Sequence, residues 1–130
     1  MKDFHAKTAF VVGGSAGIGL AAAKRFAALG MRVCIADRDD AQLAAAAGEI
    51  TECAPGGAGD VLAVKTDVSD MAQVQALKQR AFTAFGDVAV LMNNAGIGAG
   101  GGPWSDLEGW QRVIAVNMWG VIHGVHAFAE

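Results

Sequence analysis

The chain of 130 residues is 53 % hydrophobic and 18 % charged, a composition for one folded domain rather than a disordered chain. Its net charge of −3 comes without a basic run, which argues against a phosphate-neutralising nucleic-acid face. Two cysteines do not make a disulfide framework, no run of 18 apolar residues marks a membrane span, and the start MKDFHAKTAF is too polar for a secretory leader; a reducing, cytoplasmic setting is the expectation.

Residues 8–13, TAFVVG, are a continuous apolar run ended by glycine, which predicts a strand covered on both faces. Ile18, Ala21, Ala22, Phe26 and Leu29 recur near the helical period and predict a helix over 18–29, stopped by Gly30. MRVCIAD (31–37) predicts the second strand, with Cys34 as a buried free thiol. A helix over 40–53 follows, led by Asp40 as its cap. APGGAG (54–59) is a turn by composition, and VLAVKTDV (61–68) is the third strand. Ser69 is the predicted cap of a helix over 70–85, with Val74, Leu77, Ala81, Phe82 and Phe85 on one stripe and Gly86 as its stop. VAVLMNN (88–94) predicts the fourth strand and AGIGAGGGP (95–103) a loop. One last helix is expected from about Asp106 to the end.

Strand and helix alternate four times, which predicts an α/β domain over residues 1–130: a doubly wound parallel sheet with helices on both faces and right-handed crossovers. The closing residues HAFAE do not read as a natural terminus, so the expectation is a sheet cut after its fourth strand and the helix behind it.

The 18 glycines are about twice the usual share and cluster at 13–19, 56–59 and 96–102. Gly13, Gly17 and Gly19 fall between the first strand and the first helix. There the free N–H groups of a helix start and the helix dipole attract an anion, typically a diphosphate. Gly13 permits the turn, Gly17 admits the anion to the backbone, Gly19 lets the helix approach the sheet, and Ser15 offers a hydroxyl. A phosphate-loop NTPase is excluded, because Leu20 stands where that motif needs lysine. Asp37 follows Gly19 at close to the ~20-residue interval of a ribose-binding acid. A carboxylate there accepts from a ribose diol and repels a 2′-phosphate, favouring NAD over NADP; the neighbouring Arg38 is the one residue that could pair with such a phosphate.

Four stretches in order, GGSAGIG (13–19), TDVSD (66–70), NNAG (93–96) and VNMWGV (116–121), resemble the short-chain dehydrogenase/reductases across essentially the whole chain. The resemblance implies a Rossmann-like fold, a nicotinamide cofactor and an alcohol or carbonyl substrate. It implies that Gly13, Ser15, Gly17, Ile18 and Gly19 line the diphosphate. Asp37 then holds the ribose, Asp67 and Val68 the adenine, and Asn94, Ala95 and Gly96 the ribose beside the nicotinamide. Asn117 matches the asparagine of the family's Asn–Ser–Tyr–Lys tetrad. The family's usual threonine before the first glycine is Val12 here, and an aspartate often found on the fourth strand is Ala89. The family's serine and Tyr-x-x-x-Lys pair lie on segments after the point reached by Glu130, and the chain has no tyrosine, so it is expected to bind cofactor without catalysing hydride transfer alone. The resemblance further implies a homo-oligomer packed through the last helix, and exposed apolar surface is expected over 113–128.

Two other readings compete: a non-catalytic nucleotide-binding or assembly module, and a methyltransferase with an adenosyl cofactor, which gives no reason for NNAG or Asn117. His123 and His126 lack a third ligand nearby and read as packed or partner-facing rather than as a metal site. Trp110 and Trp119 read as packing or subunit-contact residues; Trp104, after the glycine run, carries a substrate contact only as its minority reading.

Overall fold

The computed structural model describes residues 3–100 and 106–129. Its elements are β1 (Thr8–Val12), α1 (Gly17–Ala28), β2 (Arg32–Asp37), α2 (Asp40–Cys53), a short 3₁₀ turn (Gly57–Asp60), β3 (Val61–Lys65), α3 (Met71–Phe85), β4 (Val90–Asn93), α4 (Leu107–Ile114), a π-helical turn (Ala115–Trp119) and α5 (Gly120–Phe128). Trp104 lies outside the described residues.

The sheet is parallel in the order β3-β2-β1-β4. Val11 pairs with Ile35 and Met92, and Val33 with Val61. The chain therefore grows outward from β1 first on one side and then on the other, which opens a crevice at the carboxyl ends of β1 and β4. Alternate strand residues feed two cores. Val11, Val33 and Ile35 pack with Ala23, Ala27 and Ile50 from α1 and α2. Phe10, Cys34, Ala36 and Val64 pack with Leu77 and Ala81 from α3, and Phe128 of α5 meets the Phe10 ring edge-on at 4.9 Å. A third cluster of Val12, Val68, Val74, Val116 and Ala127 closes the end of the sheet nearest the crevice. Both faces are covered, as the continuous apolar strands require.

Several local expectations need correction. α1 buries Gly19, Ala23 and Ala27, whereas Ile18 is 76 % exposed and Leu29 is at the surface. The small side chains face the sheet because they let the helix axis come close. In α3, Val74, Leu77 and Ala81 are buried but Phe82 is exposed. The caps are Asp39, which accepts from Gln42 N–H, and Asp70, which accepts from Ala72 N–H; Asp40 and Ser69 do not have that role. The third strand ends at Lys65, which pairs with Asp37, and the Thr66 N–H to Asp37 carbonyl bond at 2.8 Å is the last of that ladder. The last helix is not a single α-helix: five residues, Ala115–Trp119, widen into a π-helical turn. The expected apolar surface is present, with Ile114, Met118, Trp119, Ile122 and Val125 each more than 40 % exposed.

Candidate functional site

A cleft of about 270 Å³ occupies the crevice where β1, β2, β3 and β4 end. Its floor comes from the glycine turn. Gly13 takes φ +76°, and its N–H bonds the Ala36 carbonyl at 2.7 Å, tying the turn to β2. Asn94, one residue beyond β4, donates its side-chain amide to the Gly13 carbonyl at 2.9 Å and locks the turn from the other side. Gly19 is buried under this arrangement: a Cβ there would strike the Gly13 carbonyl oxygen and lie 2.6 Å from Asn94 Nδ2. Gly17 differs. It takes φ +52°, and among the described residues nothing beyond its chain neighbours and its own helix backbone lies within 4 Å of where its Cβ would stand.

α1 has no side-chain cap, so the N–H groups of Gly17, Ile18 and Gly19 have no partner within their helix. A glycine that leaves open space over an uncapped helix start is a cradle for an anion, and these residues fit a dinucleotide's diphosphate.

The wall beside β2 carries charge. Both Asp37 oxygens are held: Oδ1 accepts from Arg38 N–H at 2.8 Å and Oδ2 from the Ser15 hydroxyl at 2.5 Å. Asp67 accepts from the Ser69 hydroxyl at 2.6 Å and Ser69 N–H at 3.0 Å. The Ser69 hydroxyl keeps its carboxyl below the usual range; burial opposes this, and the Ser69 N–H and the charge of Arg38 assist. Val68, buried beside it, gives its carbonyl to His123 Nδ1 at 2.7 Å, which anchors this loop to α5. Gly120 makes that approach possible, since a Cβ there would sit 2.6 Å from Val68 Cγ2.

Of the residues expected at the site, Gly13, Gly17, Asp37, Arg38, Asp67 and Val68 line the cleft, as do Asn94, Ala95 and Gly96. Ser15, Ile18, Gly19 and Asn117 lie outside that lining. Asn117 sits on the π-helical turn and pairs with the backbone of Ile97, which itself lines the cleft. Thr66 and Val116 also line it and were missed. Thr66 is 2 % exposed, and the available signal was its place at the head of TDVSD (66–70). Val12, where a threonine was expected, is buried against Val68, Val74 and Val116, so apolar packing takes the place of the missing hydroxyl.

The short chain dehydrogenase family model matches residues 7–130. A 2,5-dichloro-2,5-cyclohexadiene-1,4-diol dehydrogenase of Sphingobium indicum is 38 % identical over 122 residues, which are 93 % of this chain and 47 % of that protein. The chain thus spans about half the length of that relative. A short chain dehydrogenase/reductase from Burkholderia phymatum in complex with NAD superposes with a TM-score of 0.90 at 45 % identity, covering 99 % of this chain and 45 % of the other. An actinorhodin polyketide ketoreductase with NADPH superposes with a TM-score of 0.87 at 30 % identity, covering 95 % of this chain and 46 % of the other. The family match runs from before β1 through the glycine turn and NNAG to α5, the same segments that build the cleft, and on that ground the chain belongs to the short-chain dehydrogenase family.

Proposed function

We propose that the chain is the cofactor-binding part of an NAD-dependent oxidoreductase whose substrate is an alcohol or its carbonyl partner. The observation that carries this reading is the cleft itself, with an open glycine over an uncapped helix start at one end and a carboxylate, Asp37, at the other. The helix start accepts the diphosphate. Asp37 accepts hydrogen bonds from the adenosine ribose and repels a 2′-phosphate, so NAD is preferred. Thr66, Asp67 and Val68 form the side on which the adenine rests. Asn94 fixes the glycine turn, and Asn117 fixes Ile97 beside Gly96, at the end reserved for the nicotinamide ribose. A nicotinamide cofactor supplies the hydride donor or acceptor when bound; the chain's own residues bind and orient it.

These 130 residues contain no tyrosine to move the substrate proton, so the chain alone binds cofactor without turning it over. The same composition favours one second reading, a non-catalytic nucleotide-binding module. The exposed apolar face of α4 and α5 supports a homo-oligomer, and the two cysteines, free in this structure, support a reducing, cytoplasmic setting.

Fluorescence titration with NADH and NADPH tests the proposal. NADH is expected to bind about tenfold or more tightly than NADPH. Equal affinities overturn the role given to Asp37, and no binding of either overturns the cofactor reading.

A further inference from the structure

We propose that Ser15 is a positioning residue for cofactor selectivity, acting through Asp37 in place of a direct phosphate contact. The inference rests on the dinucleotide reading above. Ser15 is 6 % exposed and does not line the cleft, although it sits between two glycines of the anion turn. It has one hydroxyl proton, and that proton goes to Asp37 Oδ2 at 2.5 Å. Gln42 Oε1, also an acceptor, stands 3.4 Å from the same hydroxyl, and the 2.5 Å distance gives the proton to Asp37. Arg38 N–H holds the other Asp37 oxygen at 2.8 Å.

The geometry has a stoichiometric consequence. A carboxylate offers about four lone-pair sites. The protein occupies one on each oxygen, which fixes the rotation of the carboxylate about its last bond. One site on each oxygen remains. A ribose with free 2′ and 3′ hydroxyls has two donors to match them. A 2′-phosphorylated ribose has one donor and a dianion, and gains nothing from the preset carboxylate. Ser15 thereby favours NAD selectively, because it orders Asp37 before the ligand arrives.

Titrations of the 130-residue chain with NADH and with NADPH, for wild type, S15A, S15T, S15C, D37A and the S15A/D37A pair, test this. S15A is expected to weaken NADH about fivefold to tenfold while changing NADPH less than about twofold. S15T, which keeps the hydroxyl, is expected to restore NADH affinity. In the D37A background, S15A is expected to have almost no further effect. S15C, whose thiol is a weaker donor of nearly the same size, is expected to weaken NADH about threefold and leave NADPH unchanged, a second reading if S15A fails to fold. If S15A lowers both ligands equally, with or without Asp37, Ser15 touches the diphosphate and the proposal is overturned. Tight wild-type NADH binding that S15A leaves unchanged overturns this inference alone. A wild-type chain that binds neither ligand overturns the cofactor reading and this inference together.

Discussion

Asn117 and Ile97 are joined at two points: the Asn117 Oδ1 accepts from Ile97 N–H at 2.8 Å, and its Nδ2 donates to the Ile97 carbonyl at 2.9 Å. One side-chain amide thus does for the segment after β4 what a neighbouring strand does for a strand. The π-helical turn is what brings it there. Such a turn holds one more residue than an α-helical turn and re-aims the side chains along it. Asn117 therefore reaches the loop while Val116 faces the core at 8 % exposure.

Asn117→Ala is expected to cost about 1–2 kcal/mol, the net worth of two partly solvated hydrogen bonds. Asn117→Asp keeps the acceptor but sets a carboxylate oxygen against the Ile97 carbonyl, so it is expected to destabilise the chain at least as much. Urea unfolding at pH 7 measures both. An unchanged midpoint in Asn117→Ala shows that the loop does not depend on this pair.

Gly17 and Gly19 should respond to alanine for different reasons. A Cβ at Gly19 meets the Gly13 carbonyl and the Asn94 amide, so Gly19→Ala breaks the contact that locks the turn and costs about 1–3 kcal/mol. At Gly17 the Cβ meets no described atom beyond its chain neighbours and its own helix backbone, and the left-handed backbone opposes it at roughly 1–2 kcal/mol. Gly17 lines the cleft, so Gly17→Ala is expected to lose NADH binding while remaining folded. Circular dichroism and NADH titration on the two variants separate these outcomes. NADH affinity at the wild-type level in Gly17→Ala counts against the anion cradle.

The sheet and its crevice were legible because apolar runs of strand length alternate with glycine-punctuated helical stretches, and both signals are local. The inward face of α1 was not. In a stretch rich in alanine, size carries no periodic contrast, and the sheet selects Gly19, Ala23 and Ala27 because they are small. Helix starts were off by one at Asp39–Asp40 and Ser69–Asp70, where two capping residues adjoin. Only the geometry decides which side chain reaches an amide two or three residues ahead. The π-helical turn left no mark in the sequence, since it breaks the period over five residues inside an apolar helix. At the site, glycine spacing pointed to the turn and Asp37 to its charged wall. The bond from Ser15 to Asp37 joins residues 22 apart, and only the folded chain brings them together.

Cys34 and Cys53 should differ in reactivity. Cys34 is 1 % exposed and burial pushes its thiol up to about 12, while Cys53 is partly exposed. A thiol reagent at pH 8 is expected to label one cysteine in the native chain and both in denaturant. The linkage follows the same shift. The folded thiol stays neutral, and the unfolded one ionises from its usual value of about 9. Stability is fully present below that value and is lost as pH rises from about 9 towards 12. Urea midpoints should therefore fall over that range in wild type and fall less steeply in Cys34→Ala. Equal labelling of both cysteines in the native state contradicts the burial.

Asp67 supplies the opposite limb. Its folded carboxyl is held low, first by the Ser69 hydroxyl, against some burial. A depressed carboxyl stabilises the fold above the unfolded value of about 3.9, and that contribution is lost as pH falls through the lower folded value. Ser69→Ala removes the 2.6 Å bond and leaves the Ser69 N–H position able to donate. The folded carboxyl then titrates closer to its unfolded value and contributes less at neutral pH. Acid unfolding followed by circular dichroism is therefore expected to begin at higher pH in Ser69→Ala than in wild type. The loop keeps its second anchor, Val68 to His123, so the variant should still fold at pH 7. Superimposable acid transitions for the two chains would mean that the Ser69 hydroxyl does not govern Asp67.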